Sequence, residues 1–308
     1  MRFITIAFTV LIITTLCYAG SLMGFDVQGH RGCRGLYPEN TLAGFQYAIE
    51  TVGVDTIELD VGITKDLVLV VNHDTYLNPE RTMKDGSFIK EKVFIKDLTL
   101  DQIKAYSVGK NKNRFSFYRQ KQLENEPIPT LQEVIDVVKA FNNHSEKKIK
   151  MNIEAKINAL ERHQTHEPHL FVSLLLEIIE NNQIEKIVSI QSFDWKIIMD
   201  IKDLAPQIKT VALLSQARLK DAEWFNGIDP EDYDSFAAFI KASKADCLSM
   251  NYKDINEQNI LEVQNLGIKM IPYTINDEAT MRRFINLGVN GIITDYPDVL
   301  LSVIETYQ

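Results

Sequence analysis

The sequence predicts an α/β protein, a TIM (β/α)8 barrel with a small inserted subdomain after the second strand. Short β-rich apolar runs alternate with amphipathic stretches along the chain, and eight such pairs can be counted. One interval is far too long to be a connection. The chain has 308 residues, 45% hydrophobic and 24% charged, which is apolar material enough for one large core. The same repeating units could also build a doubly wound open sheet, the main structural rival.

The first strand, Phe25–His30, runs into His30-Arg31-Gly32, and Pro38-Glu39-Asn40-Thr41 opens the first helix, Thr41–Glu50. In the second strand, Asp55–Val61, apolar Ile57, Leu59 and Val61 alternate with Glu58 and Asp60, so the two acids share one face. Leu67–Val71 reads as an extra extended piece. Thr75–Pro127 is then too long for a loop and is expected to hang over one mouth of the barrel, as an insertion of residues 75–128. Within it, Lys112, Arg114 and Arg119 interleave with Phe115, Phe117 and Tyr118, either to meet a phosphate or lipid headgroup or as the solvated basic face of a small cap. The remaining strands are expected at Ile149–Ala155, Ile187–Gln191, Ile208–Leu213, Cys247–Met250, Ile268–Tyr273 and Gly291–Thr294. The remaining helices are expected at Leu131–Phe141, Leu170–Asn181, Trp195–Leu204, Tyr233–Ser243, Glu257–Leu266, Glu278–Leu287 and Asp298–Tyr307.

The N-terminus has a signal-peptide layout: Arg2, the uncharged apolar run Phe3–Leu16, and Cys17-Tyr18-Ala19-Gly20, with no acid before Asp26. Residues 1–19 are expected to be removed, leaving a barrel of residues 20–308 in the periplasm or secreted. The run is short for a bilayer span, so no stable membrane span is expected after cleavage. Thr14-Thr15-Leu16 ahead of Cys17 makes a poor lipoprotein site. Cys33 and Cys247 would then remain. An oxidising compartment permits a bridge between them, but the sequence does not show that they meet, and two free or buried thiols are expected.

A formal net charge of -9 argues against a surface that neutralises many nucleic-acid phosphates. It fits a site that uses carboxylates to hold a divalent cation. Glu58 and Asp60 would be costly to bury as anions without one, and such hard oxygen donors suit Ca²⁺ or Mg²⁺. Asn152, Glu154 and Lys156 repeat the arrangement on the next strand, where Glu154 can complete the metal shell and Lys156 can either neutralise a phosphate or pair with Glu154. A structural ion-pair network is the alternative for any one of these pairs. His30 stands at a strand end, where barrel enzymes place their chemistry, beside Arg31, whose guanidinium can grip a phosphate oxygen. His73, before Asp74, could face it across the mouth and supply the second of an acid and base pair. Thr41 or Asn40 could instead cap the helix, and Glu39 could merely complement its dipole. His163, His166 and His169 read as solvated loop.

Together, His30-Arg31-Gly32, Pro38-Glu39-Asn40-Thr41, Glu58-Leu59-Asp60, His73-Asp74 and Glu154-Ala155-Lys156 resemble the glycerophosphodiester phosphodiesterase family. The likeness continues through Pro129-Thr130-Leu131, Ser192-Phe193, Tyr273-Thr274-Ile275-Asn276 and Thr294-Asp295-Tyr296-Pro297. It implies metal-dependent hydrolysis of a small glycerophosphodiester to glycerol 3-phosphate and an alcohol. His30 and His73 would be general acid and base, Glu58, Asp60 and Glu154 ligands of Ca²⁺ or Mg²⁺, and Arg31 and Lys156 phosphate holders. Tyr273 stands where the family commonly has tryptophan, a residue that would pack on the glycerol. A lysolipid-directed enzyme and an exported binding protein for glycerol phosphates are the rival readings.

Overall fold

The computed structural model describes residues 22–113 and 117–307. The expected signal peptide, and Arg114 and Phe115 of the basic and aromatic run, lie outside the described residues. Eight strands form the barrel: β1 (Asp26–Gly29), β2 (Thr56–Ile63), β3 (Lys150–Ala155), β4 (Val188–Ser192), β5 (Lys209–Leu214), β6 (Cys247–Met250), β7 (Lys269–Met270) and β8 (Gly291–Thr294). They pair in parallel in the order β7-β6-β5-β4-β3-β2-β1-β8. The seam between β7 and β8 has no regular ladder, yet three backbone bonds cross it. Asn290 N donates to Met270 O at 2.9 Å, Ile293 N to Pro272 O at 3.0 Å and Ile275 N to Ile293 O at 3.1 Å. Those bonds close the ring, and a doubly wound sheet with two free edges is thereby excluded.

The expected strands and helices are present with shifted ends. Regular pairing in β7 covers only Lys269–Met270, shorter than the expected Ile268–Tyr273, because Pro272 has no N–H to give the ladder. The fifth helix of the barrel starts at Phe236 and not Tyr233, since the Ser235 hydroxyl accepts from Ala238 N at 3.1 Å and so sets the N-cap. The helix Leu131–His144 opens with a capping box in which Thr130 and Glu133 satisfy each other's backbone N–H groups.

Alternation along the strands divides the apolar material. Ile57, Leu59, Met151, Ile153 and Ile190 point outward onto the helices, where Phe45, Phe171, Trp195, Phe239 and Phe284 are buried in the same cluster. Truncating any of these aromatics to Ala is expected to cost ~3–5 kcal/mol. Inside the barrel a separate small cluster of Val211, Cys247, Ile271 and Ile293 fills the β5 to β8 side. The β1 to β4 side is polar, with Gln28, Glu58, Asp60, Asn152, Glu154 and Gln191 all buried.

Between β2 and β3 lies the inserted region. Leu69–Val71 pairs antiparallel with β2, and two short hairpin pairs follow, Tyr76–Leu77 with Val93–Phe94 and Met83–Lys84 with Ser87–Phe88. Val70, Leu77, Ile95, Ile103, Val108 and Ile128 give this region an apolar centre of its own. The two described cations of its basic and aromatic run are paired, Lys112 with Glu80 at 3.4 Å and Arg119 with Asp298. Among the described residues no helix is long and apolar enough to cross a membrane.

Among the described residues, Cys33 and Cys247 are free and buried. The Cys33 thiol donates to Gly44 O and that of Cys247 to Leu248 O. Burial pushes the Cys33 pKa up to about 12 and that of Cys247 higher still, so neither is a nucleophile at neutral pH.

Candidate active site

The site begins with a turn that needs glycine at two positions. A Cβ on Gly29 would meet Gly32 O at 1.9 Å, and Gly32 has φ +89°, so both glycines are needed to fold the chain back at the end of β1. Arg31 between them has φ 51° and is held by its own N–H, which donates to Glu58 Oε2 at 2.8 Å. Asn40, also at positive φ, donates from its amide to Asp60 Oδ2 at 2.8 Å. Thr41 is the helix cap, accepting from Gly44 N at 3.0 Å. Glu39 does more than complement a dipole, because it pairs with Arg31 at 2.9 Å and with Arg81 at 2.5 Å. Those cations, with Arg34, overcome its burial and hold its pKa at about 2.

The β2 to β3 register sets Glu58 opposite Asn152 and Asp60 opposite Glu154. Three buried carboxylates, Glu58, Asp60 and Glu154, thus bring one ligand oxygen each to within 4.8 Å of one another. Burial, with Asp60 and Glu154 nearby, lifts Glu58 well above the usual carboxylate range, and burial raises Glu154 as well. Asp60 goes the other way. Its burial is outweighed by His73, Lys156 and Arg31, which hold it low. Even so, Asp60 Oδ1 is buried without a hydrogen bond, its nearest cation being Lys156 Nζ at 3.5 Å. Lys156 bonds Glu154 at 2.6 Å. A set of hard oxygen donors with an orphaned lone pair fits a divalent metal ion, which these three residues can coordinate.

The cavity above them, of about 190 Å³, lies at the C-terminal ends of the strands. His30, Arg31, Glu58, His73, Glu154, Lys156 and Tyr273 line it, so seven of the eight residues singled out in the sequence meet there, with Asp60 beside them. His30 Nδ1 lies 2.6 Å from Asp295 Oδ1, while His73 Nδ1 lies 2.9 Å from Asp74 Oδ1. Burial lowers the pKa of both rings, that of His73 to about 4 with help from Lys156 and Arg31. The Tyr273 hydroxyl is turned away to Leu214 O at 2.9 Å, leaving its ring at the cavity wall, edge-on to Phe193.

A family model described as the glycerophosphoryl diester phosphodiesterase family matches residues 30–299 of this chain. The chain belongs to that family. This phosphodiesterase is 32% identical over 280 residues to a glycerophosphodiester phosphodiesterase from Caldanaerobacter subterraneus subsp. tengcongensis, covering 91% of the chain and 97% of the relative. It is similar to a crystal structure from Silicibacter pomeroyi assigned as a glycerophosphoryl diester phosphodiesterase, with TM-score 0.82, 25% identity and coverage of 93% and 97%. An Oleispira antarctica phosphodiesterase solved with its product sn-glycerol-3-phosphate shares the fold at TM-score 0.69 and 23% identity, over 90% of this chain and 96% of that one.

One expectation for the phosphodiesterase is overturned. Catalysis was to centre on a two-histidine acid and base pair, whereas the group that converges tightly enough to hold an ion is all-acidic, Glu58, Asp60 and Glu154. The imidazoles form no pair. Each is bonded to its own carboxylate, Asp295 or Asp74, because a ring nitrogen is drawn to the nearest anion and not to another base.

Several residues of the phosphodiesterase site were not assigned a role from sequence. Asp295 accepts from His30, from Arg34 Nε at 3.0 Å and from Asn276 Nδ2 at 2.7 Å, and these contacts, above all the one with His30, keep it ionised despite burial. Its place in Thr294-Asp295-Tyr296-Pro297, at the end of β8 beside β1, was the available clue. Gln191 Nε2 donates to Glu58 Oε1 at 2.8 Å, and Asn152 Nδ2 donates at 3.0 Å both to Gln191 Oε1 and to Gln28 Oε1. These amides form a column through the barrel interior that ends on Asp26. Since Gln191 Oε1 is occupied by Asn152, its N–H side must face Glu58.

Proposed function

We propose that this phosphodiesterase hydrolyses glycerophosphodiesters to a glycerol 3-phosphate product and an alcohol at a Ca²⁺ or Mg²⁺ ion held by Glu58, Asp60 and Glu154. The observation that carries this reading is the buried acidic trio, whose charge Lys156 and Arg31 only partly balance. Oxygen-only donors favour Ca²⁺ or Mg²⁺ over softer metals. When bound, such an ion withdraws charge from a phosphate oxygen and stabilises the negative charge that develops during displacement.

The chain's own groups supply the rest. Arg31 and Lys156 take non-bridging phosphate oxygens, the guanidinium adding direction to charge. Asp295 and Asp74 can only accept, so they hold the Nδ1 proton of His30 and His73 and turn Nε2 of each neutral ring toward the cavity. There each ring separately receives a hydrogen bond from a hydroxyl of substrate or water. The ring of Tyr273 gives the glycerol carbons an apolar face. The name of the Caldanaerobacter relative and the product seen in the Oleispira enzyme support the choice of substrate.

The test is glycerol 3-phosphate release from purified protein before and after chelation. Release is expected to stop with chelator and to return with Ca²⁺ or Mg²⁺. Metal at a hundred times its Kd should also stabilise the fold by about 2.7 kcal/mol, seen as a higher Tm without turnover. Release that is indifferent to the chelator would overturn the proposal.

A further inference from the structure

Arg218 is a cation at this mouth for which the site described above has no use. The turn Gln216–Arg218 follows the end of β5 and lays the guanidinium over two rings, with Cζ 3.7 Å from the centre of Phe193 and 4.6 Å from that of Trp224. Phe193 lines the catalytic cavity, as does Tyr273, whose ring meets it edge-on at 6.1 Å. Arg218 is therefore one ring away from the cavity. It is also close enough to Glu154 to feel that charge, although its burial dominates and lowers its pKa.

Its hydrogen bonding is incomplete. Nη1 donates to Ser215 Oγ at 3.1 Å, and the buried Nε has no acceptor. Among the described residues no carboxylate lies within ion-pair distance of it. By contrast, Arg31 and Arg34, the two arginines of the cavity wall, are each paired with carboxylates. A planar cation stacked on aromatic faces keeps its donors in a fixed plane, so little freedom is lost when an acceptor arrives. Unlike Nε, the Nη2 donor of this half-buried side chain is neither hydrogen-bonded nor shut off from solvent, so it is the one that an incoming oxygen reaches.

We propose that Arg218, seated on Phe193 and Trp224, forms the subsite for the leaving alcohol and selects polyol headgroups, whose hydroxyl oxygens accept from the guanidinium. The same arrangement disfavours quaternary ammonium headgroups. The faces of Phe193 and Trp224 that could hold such a cation are already covered by Arg218, and its charge repels a second one. This inference rests on the glycerophosphodiesterase reading of the site and adds to it the class of alcohol released.

The experiment compares kcat/KM of the purified, metal-loaded enzyme for glycerophosphoinositol and glycerophosphocholine. The inositol ester is expected to be favoured by about tenfold or more, the worth of one charge-assisted hydrogen bond. Arg218→Gln should bring that ratio to within about threefold, chiefly by raising KM for the inositol ester. Phe193→Leu, which keeps the charge and removes part of its platform, should narrow the ratio less. The wild-type ratio decides even where a variant fails to fold. Equal or better use of the choline ester by the wild type overturns the proposal, and so does an Arg218→Gln enzyme that slows both esters alike, as a merely structural arginine would. If both esters are hydrolysed without discrimination, this inference alone falls. If neither is hydrolysed with Ca²⁺ or Mg²⁺ present, the functional reading beneath it falls too.

Discussion

The barrel has two polar mouths, and they differ in a way that size alone would misrank. At the N-terminal ends of the strands a cavity of about 490 Å³ is lined by Asp26, Lys150, Lys209 and Asp246 among others, while the cavity over the acidic trio measures about 190 Å³. In the larger one each carboxylate is individually satisfied. Asp26 accepts from Thr56, Gln28 and Lys150, and Asp246 from Thr210 N at 2.9 Å and Lys202 at 3.0 Å. In the smaller one three acids crowd together, one oxygen stays unbonded and two of the pKa values are pushed upward mainly by burial. The comparison teaches that charge left uncompensated by the fold, and not cavity volume, marks the place where a ligand belongs.

Charge-neutralising substitutions should separate the mouths most sharply. Glu58→Gln or Glu154→Gln is expected to lower kcat/KM by on the order of 10²–10³-fold with the fold retained, because it removes charge that acts on the reacting phosphate. Asp246→Asn should instead leave turnover within a few-fold and lower stability by about 1–3 kcal/mol, the cost of weakening a satisfied network. Steady-state kinetics with denaturant unfolding on all three proteins measures both effects. An Asp246→Asn enzyme as inactive as Glu58→Gln would erase the distinction.

The amide column that joins the mouths offers a graded test. Gln191→Leu removes the donor that fixes Glu58 Oε1, and metal affinity should weaken by about 10–100-fold, as for other supports of a metal ligand. Gln28→Leu, which acts on Asn152 two steps from Glu58, should weaken it less. Metal titration by calorimetry reads the order directly, and equal losses would mean that the column behaves as one rigid unit.

The smallest effect concerns pH. His73 has its folded-state pKa lowered from 6.5 to about 4, so between those values the unfolded chain binds the extra proton and stability rises with pH. That contribution is complete above the unfolded pKa and is lost as pH falls toward 4. His73→Gln should therefore flatten the stability profile of the metal-free protein between pH 6.5 and 4. Denaturant melts across that range would show whether the slope survives the substitution, in which case the burial of His73 is not its source.

How much of this was legible in the sequence follows from how local each cause is. The alternation in Ile57-Glu58-Leu59-Asp60 shows two acids on one face from the strand period alone, and eight strand and helix pairs point to a closed ring. The meeting of Glu154 with Asp60 depends on the β2 to β3 register, which no single strand specifies. The two histidines could be placed at the mouth, but their partners could not be read. Asp295 lies 265 residues from His30, and only closure of β8 onto β1 brings them together. Gln191 and Arg218 went unnoticed because an isolated amide and a loop arginine have no pattern until their neighbours are known.

What the sequence determined by itself, then, was periodicity: which segments are strands, which faces are apolar, and that acids, imidazoles and a guanidinium sit near strand ends. What only the tertiary structure decided was partnership, namely which carboxylates stand together unpaired and which are matched. The reason is physical. Side-chain direction is set by the backbone within a few residues, whereas Coulomb energy and hydrogen bonding depend on separations of a few ångströms between groups far apart in the chain.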